Sequence, residues 1–74
     1  MKMSYKKLWI MLAERELEKS ELRKLLSFSP NTMTKLNKNE EVSLSVLLRI
    51  CECLKCNIGD ICDAVPDEAT NNNV

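Results

Sequence analysis

The sequence predicts an all-α fold, a compact five-helix bundle, and three observations carry that prediction. Apolar residues recur three and four positions apart along most of the chain, the period of helices with one buried face. Leucine dominates the apolar set, with eleven against four valines and four isoleucines, a composition that favours helix over sheet. Serines stand where helix caps belong, at Ser4, Ser29 and Ser43, each just ahead of an apolar-periodic run. With 74 residues, 45% of them hydrophobic, the chain reads as one small folded domain over 1–66 and a disordered polar tail over 67–74.

The first helix is expected from Ser4 to Arg15, with Tyr5, Leu8, Met11 and Leu12 inward, Ile10 almost opposite and Trp9 at the edge. The second spans Lys19–Leu26, with Leu22, Leu25 and Leu26 as its apolar stripe and Lys19, Arg23 and Lys24 outward. Pro30 fits the first position of a third helix, Pro30–Asn37, capped by Ser29 and buried through Met33 and Leu36. Residues 38–42 form a loop. Ser43 caps a fourth helix, Leu44–Leu54, with Leu44, Leu47, Leu48, Cys51 and Leu54 on its inward face. Asn57 caps a short fifth helix, Ile58–Asp63, and Pro66 ends the ordered part. A second apolar strip on the fourth helix leaves two readings. Ile10, Val46 and Ile50 are a candidate dimer interface, or they pack inside a crowded bundle.

Composition excludes several classes of function. The chain has no histidine, which removes imidazole bases, nucleophile–histidine dyads and zinc sites that need imidazole. No enzyme activity, cofactor or small-molecule substrate is expected. The longest uninterrupted apolar run, Leu8–Ala13, is far short of the roughly 20 residues that span a bilayer. The protein is therefore read as cytoplasmic and not membrane-bound, with its four cysteines as thiols. The spacing of Cys51, Cys53, Cys56 and Cys62 raises a four-thiolate metal site. Helical geometry opposes it, because Cys51 points into the core and Cys53 faces away; no metal is expected.

The formal net charge is zero, but the halves differ. Residues 1–38 carry nine basic and four acidic residues, while 39–74 carry two and seven. A neutral molecule of this kind can present one basic face. The junction of the second and third helices gives that face a shape. Two short helices are joined by about three residues, and Leu22, Leu26, Phe28, Met33 and Leu36 bury the wedge between them. This is the helix-turn-helix arrangement, whose second helix enters the major groove of DNA.

The chain resembles the phage-repressor and Cro-like helix-turn-helix (XRE) superfamily, in its small single-domain bacterial form. The resemblance runs from Tyr5-Lys6-Lys7-Leu8-Trp9 through SPNTMTKLNKNEEVSLSVLLRICECL to NIGDI, over about residues 4–66. Its most specific parts are S-P-x-T-x-x-K-L-x-K-N-E around the third helix and L-L-x-I-C-E-x-L in the fourth. Two positions depart from the family pattern. Ser27 stands where glycine is frequent, and a left-handed backbone there costs a non-glycine residue about 1–2 kcal/mol. Arg23 stands where a small residue is frequent and can lay its stem on a neighbouring helix.

The resemblance implies a compact five-helix domain that binds double-stranded DNA, a homodimer at least on DNA, and regulates transcription, as a repressor in this reading. It implies a base-contacting face of Ser29, Asn31, Thr32 and Lys35. The chemistry agrees, since Asn pairs with adenine, Lys reaches guanine O6 and N7, and a Thr methyl meets that of thymine. Lys19, at the start of the second helix, and Lys38, with Asn39 beside it, are candidate phosphate contacts. The alternative is an interaction module, antitoxin-like or a phage accessory protein, that keeps the fold without binding DNA.

Overall fold

Three of the expected helices form over the residues that their caps and periodicity mark. The computed structural model describes residues 1–67. Along the chain run β1 (Lys2–Ser4), α1 (Lys6–Glu14), α2 (Lys19–Leu26), α3 (Pro30–Asn37), α4 (Leu44–Leu54), a single 3-10 turn (Ile58–Asp60) and β2 (Asp63–Val65). The bounds of α2, α3 and α4 are those expected. Ser29 Oγ accepts the Thr32 amide at 3.2 Å, and Ser43 Oγ accepts the Val46 amide at the same distance. Each bond satisfies one of the orphan amides that open a helix. At the start of α2 the Glu18 amide donates to Glu21 Oε1 at 2.9 Å.

Among the described residues, the expected all-α, five-helix bundle is corrected to four α-helices and a two-stranded antiparallel sheet. β1 pairs with β2 in the register Lys2–Val65, Met3–Ala64 and Ser4–Asp63. Ser4 therefore belongs to a strand, and α1 starts at Lys6, after Tyr5. The expected fifth helix shrinks to the 3-10 turn, because Asp63 onward is drawn out to pair with the N-terminus. Apart from Asp67, the tail expected over 67–74 lies outside the described residues.

One cluster forms the core. α1 supplies Leu8 and Leu12, with Tyr5 just ahead of it; α2 supplies Leu22 and Leu26; Phe28, Met33 and Leu36 close the α2–α3 corner. α4 contributes Leu47, Ile50, Cys51 and Leu54, and Ile61 and Cys62 cover the base. Each fully buried aliphatic side chain contributes about 1.5–3 kcal/mol of transfer free energy. The inward face of α4 is rotated from the expected one. Leu44 and Leu48 are more than half exposed, as is Leu25 on α2, while Ile50 is wholly buried. Ile50 is thus removed from the candidate dimer interface, because its own core encloses it. Ile10 remains exposed and Val46 half-buried.

The helices end alike. Glu16, Ser27, Asn39 and Lys55 all take positive φ, between 54° and 59°. After each, the next amide reaches back five residues: Leu17 to Leu12, Phe28 to Arg23, Glu40 to Lys35 and Cys56 to Cys51, at 2.8–3.1 Å. This closure satisfies terminal carbonyls and is ordinarily built with glycine. The one glycine of the chain, Gly59, lies elsewhere, so four L-residues bear the left-handed conformation.

Candidate nucleic-acid interface

The α2–α3 corner is fixed by groups from three helices. Ser27, at φ 54° and ψ 39°, turns the chain out of α2, as its position in the motif led one to expect. Phe28 drops into the core. Arg49 of α4 then closes the corner from behind. Its guanidinium donates to the Leu26 carbonyl and lies 5.1 Å from the centre of the Phe28 ring. A cation at the C-terminal end of α2 also opposes the helix dipole there.

Met33 and Leu36 anchor α3 from one side. The opposite side carries Asn31, Thr34, Lys35 and Lys38, all exposed. The Thr34 hydroxyl is turned back onto the Pro30 carbonyl at 2.9 Å. Asn31, Lys35 and Lys38 make no side-chain hydrogen bond or ion pair among the described residues. Ser29 and Thr32 sit at the end and edge of this face, with their hydroxyls 3.2 Å apart. Of the four expected base-contacting residues, Asn31 and Lys35 are thus free, whereas Ser29 and Thr32 are engaged in the cap.

The flanking residues differ in how their side chains are held. Lys19 opens α2, with its ammonium 2.8 Å from Asn37 Oδ1 and 4.0 Å above the Trp9 ring centre. Lys38 ends α3 with its side chain free. Asn39, in the left-handed position after it, uses Oδ1 to accept the Tyr5 amide at 3.1 Å. Tyr5 also donates its hydroxyl to the Glu40 carbonyl at 2.7 Å, so it ties the loop after α3 to the start of α1. Lys7 is engaged elsewhere, donating to Asp63 Oδ1 at 3.2 Å and to the Gly59 carbonyl at 3.1 Å. Arg23 is half-buried and its Nε has no partner among the described residues, in keeping with a stem laid on the fold.

The polar and cation contacts of Trp9, Asn37, Arg49 and Tyr5 are what sequence reasoning missed. Each residue acts through a partner far along the chain, and no local spacing announces it. Lys19, Lys24, Lys35 and Lys38, which the charge asymmetry does mark, have no carboxylate partner among the described residues.

The cysteines do not assemble a metal centre among the described residues, where no three Cys, Asp or Glu side chains converge. Cys51 and Cys62 are buried, and Cys53 and Cys56 half-buried. Burial raises the Cys56 thiol above its ordinary range, and the neighbouring Cys51 raises it further. Burial raises Cys62 too, with Asp63 adding to it. Raised thiols hold little thiolate at neutral pH and are poor nucleophiles.

A family model described as the Cro/C1-type helix-turn-helix DNA-binding domain matches residues 7–67 of the chain. A crystal structure of the transcriptional regulator VanUg, Form II, superposes with a TM-score of 0.88. The two sequences are 52% identical, and the match covers 89% of this chain and 88% of that one. No curated protein matches the sequence.

Proposed function

The chain belongs to the Cro/C1-type helix-turn-helix DNA-binding family, and on that premise we propose that it is a small sequence-specific regulator of transcription, acting as a repressor. The similar VanUg, itself a transcriptional regulator, supports the reading. α3 enters the major groove. Lys35 and Asn31 read base edges there, with Ser29 and Thr32 at the near end of the same helix. Lys19 and Lys38 grip phosphates on either side, and Asn39 holds the loop beside them. Two copies bind twofold operators, with Ile10 and Val46 as the candidate contact. No cofactor, substrate or catalytic step enters the account, and the protein works in the cytoplasm beside its DNA. No helix among the described residues is long and apolar enough to cross a membrane.

The observation that carries this reading is the contrast on α3. Around it the capping hydroxyls and the loop amides are internally bonded, while Asn31, Lys35 and Lys38 are left unpartnered on one face. Phosphate contacts set affinity and base contacts set specificity, which separates the roles by experiment. Operator selection from a random duplex pool, followed by competition assays, tests it. Lys35→Ala is expected to lose about 1–3 kcal/mol of discrimination at one base pair. Equal selectivity of Lys35→Ala and wild type would show that α3 is not the reading helix.

A further inference from the structure

Lys19 is held differently from the other lysines of the basic face. It is the first residue of α2, yet its side chain is tied to α1 and α3 at once. Its ammonium donates to Asn37 Oδ1 at 2.8 Å and lies 4.0 Å from the Trp9 ring centre. Trp9 is half-buried and packed against the core. Lys24, Lys35 and Lys38 have no such tether.

We propose that Trp9 and Asn37 are positioning residues that hold the Lys19 ammonium ready for a DNA phosphate beside α3. The inference rests on the DNA-binding reading above and deepens it. An ammonium has three donors; one goes to Asn37, and the indole face occupies another side of the cation. Lys19 is exposed, which leaves the remaining donors open to solvent. Both partners are neutral, so the full positive charge stays available to an anion, whereas a carboxylate partner would cancel it. A free lysine also loses rotamer freedom when it binds, which weakens affinity by about 2- to 10-fold for one side chain. Here that freedom is given up on folding. Asn37 lies in the last turn of α3, next to Lys38, so the cation is fixed relative to the reading helix itself.

The test uses the full chain and a fluorescently labelled duplex of random sequence, with binding followed by anisotropy across a salt series. Lys19→Ala is expected to make the slope of log K against log salt shallower by about 1. Asn37→Ala and Trp9→Leu are expected to weaken binding by about 2- to 10-fold on every sequence alike. Trp9→Phe, which keeps a ring, restores most of the loss and guards against a folding defect in Trp9→Leu. In a Lys19→Ala background, Asn37→Ala is expected to have no further effect. An undiminished Asn37 effect in that background, or none in wild type, overturns the proposal. Trp9 is the chain's single tryptophan, so its emission in the free protein gives an independent readout. Lys19→Ala is expected to change that emission, and an unchanged spectrum overturns the contact. If the wild-type protein does not bind DNA at low salt, both this inference and the function beneath it fall. If it binds and only the cycle fails, this inference falls alone.

Discussion

Replacing Ser27 with glycine is expected to stabilise the protein. Ser27 sits at φ 54°, is exposed, and its hydroxyl makes no hydrogen bond among the described residues, so its side chain contributes little. An L-residue held left-handed costs about 1–2 kcal/mol, and glycine removes that cost. Glycine also makes the unfolded chain more flexible, which returns about 0.5–1 kcal/mol. The net gain is about 0.5–1 kcal/mol. For a domain of this size about 1 kcal/mol moves the midpoint by 4–8 °C, so Ser27→Gly is expected to raise Tm by about 2–8 °C. Far-ultraviolet circular dichroism melts measure it, with urea unfolding to show that m is unchanged. Asn39→Gly is the contrast. Asn tolerates the left-handed region better, and its Oδ1 holds the Tyr5 amide at 3.1 Å. Losing that bond costs about 1 kcal/mol, so Asn39→Gly is expected to be neutral or destabilising. A fall in Tm for Ser27→Gly, or an equal rise for Asn39→Gly, would refute the reasoning.

Arg49→Ala removes a charge-assisted bond to the Leu26 carbonyl and the contact with Phe28, and is expected to cost about 1–3 kcal/mol in a urea titration. Tyr5→Phe is expected to cost about 0.5–1.5 kcal/mol, because the Glu40 carbonyl loses its donor while the ring packing stays. Leu36→Ala, at a wholly buried site, is expected to cost about 2–5 kcal/mol. Stability is also expected to fall in alkali. Burial, chiefly, raises the Tyr5 hydroxyl and the Cys56 and Cys62 thiols above their unfolded values. A raised group lends stability that is whole below its unfolded pKa and is lost as pH climbs through its folded one. The loss therefore begins near the thiol range, at about pH 8.5–9, and Tyr5→Phe flattens the upper part of the profile.

Local chemistry made α2, α3 and α4 legible. Ser29 with Pro30, and Ser43 before Leu44, are signals that act within three residues, and the helices begin where they say. The sheet was not legible, because Lys2 pairs with Val65 and three-residue strands leave no periodic trace. That pairing also explains the lost fifth helix. The facing of α4 was ambiguous in principle. Leu44, Leu47, Leu48, Cys51 and Leu54 make one apolar arc, and Leu47, Ile50, Cys51 and Leu54 make another. Tertiary packing buries the second arc, while Arg49 beside it reaches Leu26. The outward placement of Asn31 and Lys35 on α3 follows from helix periodicity, whereas their base-reading role is implied by the family resemblance. The engagement of Lys19 by Trp9 and Asn37 follows from neither, since it joins residues 10 and 18 positions apart on three helices.

The central claim is that the basic half of this neutral chain forms one face that binds DNA. Affinity for random duplex DNA, measured across a salt series, tests it most directly. Each neutralised phosphate steepens log K against log salt by about 0.9, so Lys19 and Lys38 predict a slope of roughly −2 for one copy and roughly −4 for two. No detectable binding at low salt would contradict the claim and shift the account to a fold retained for protein contacts.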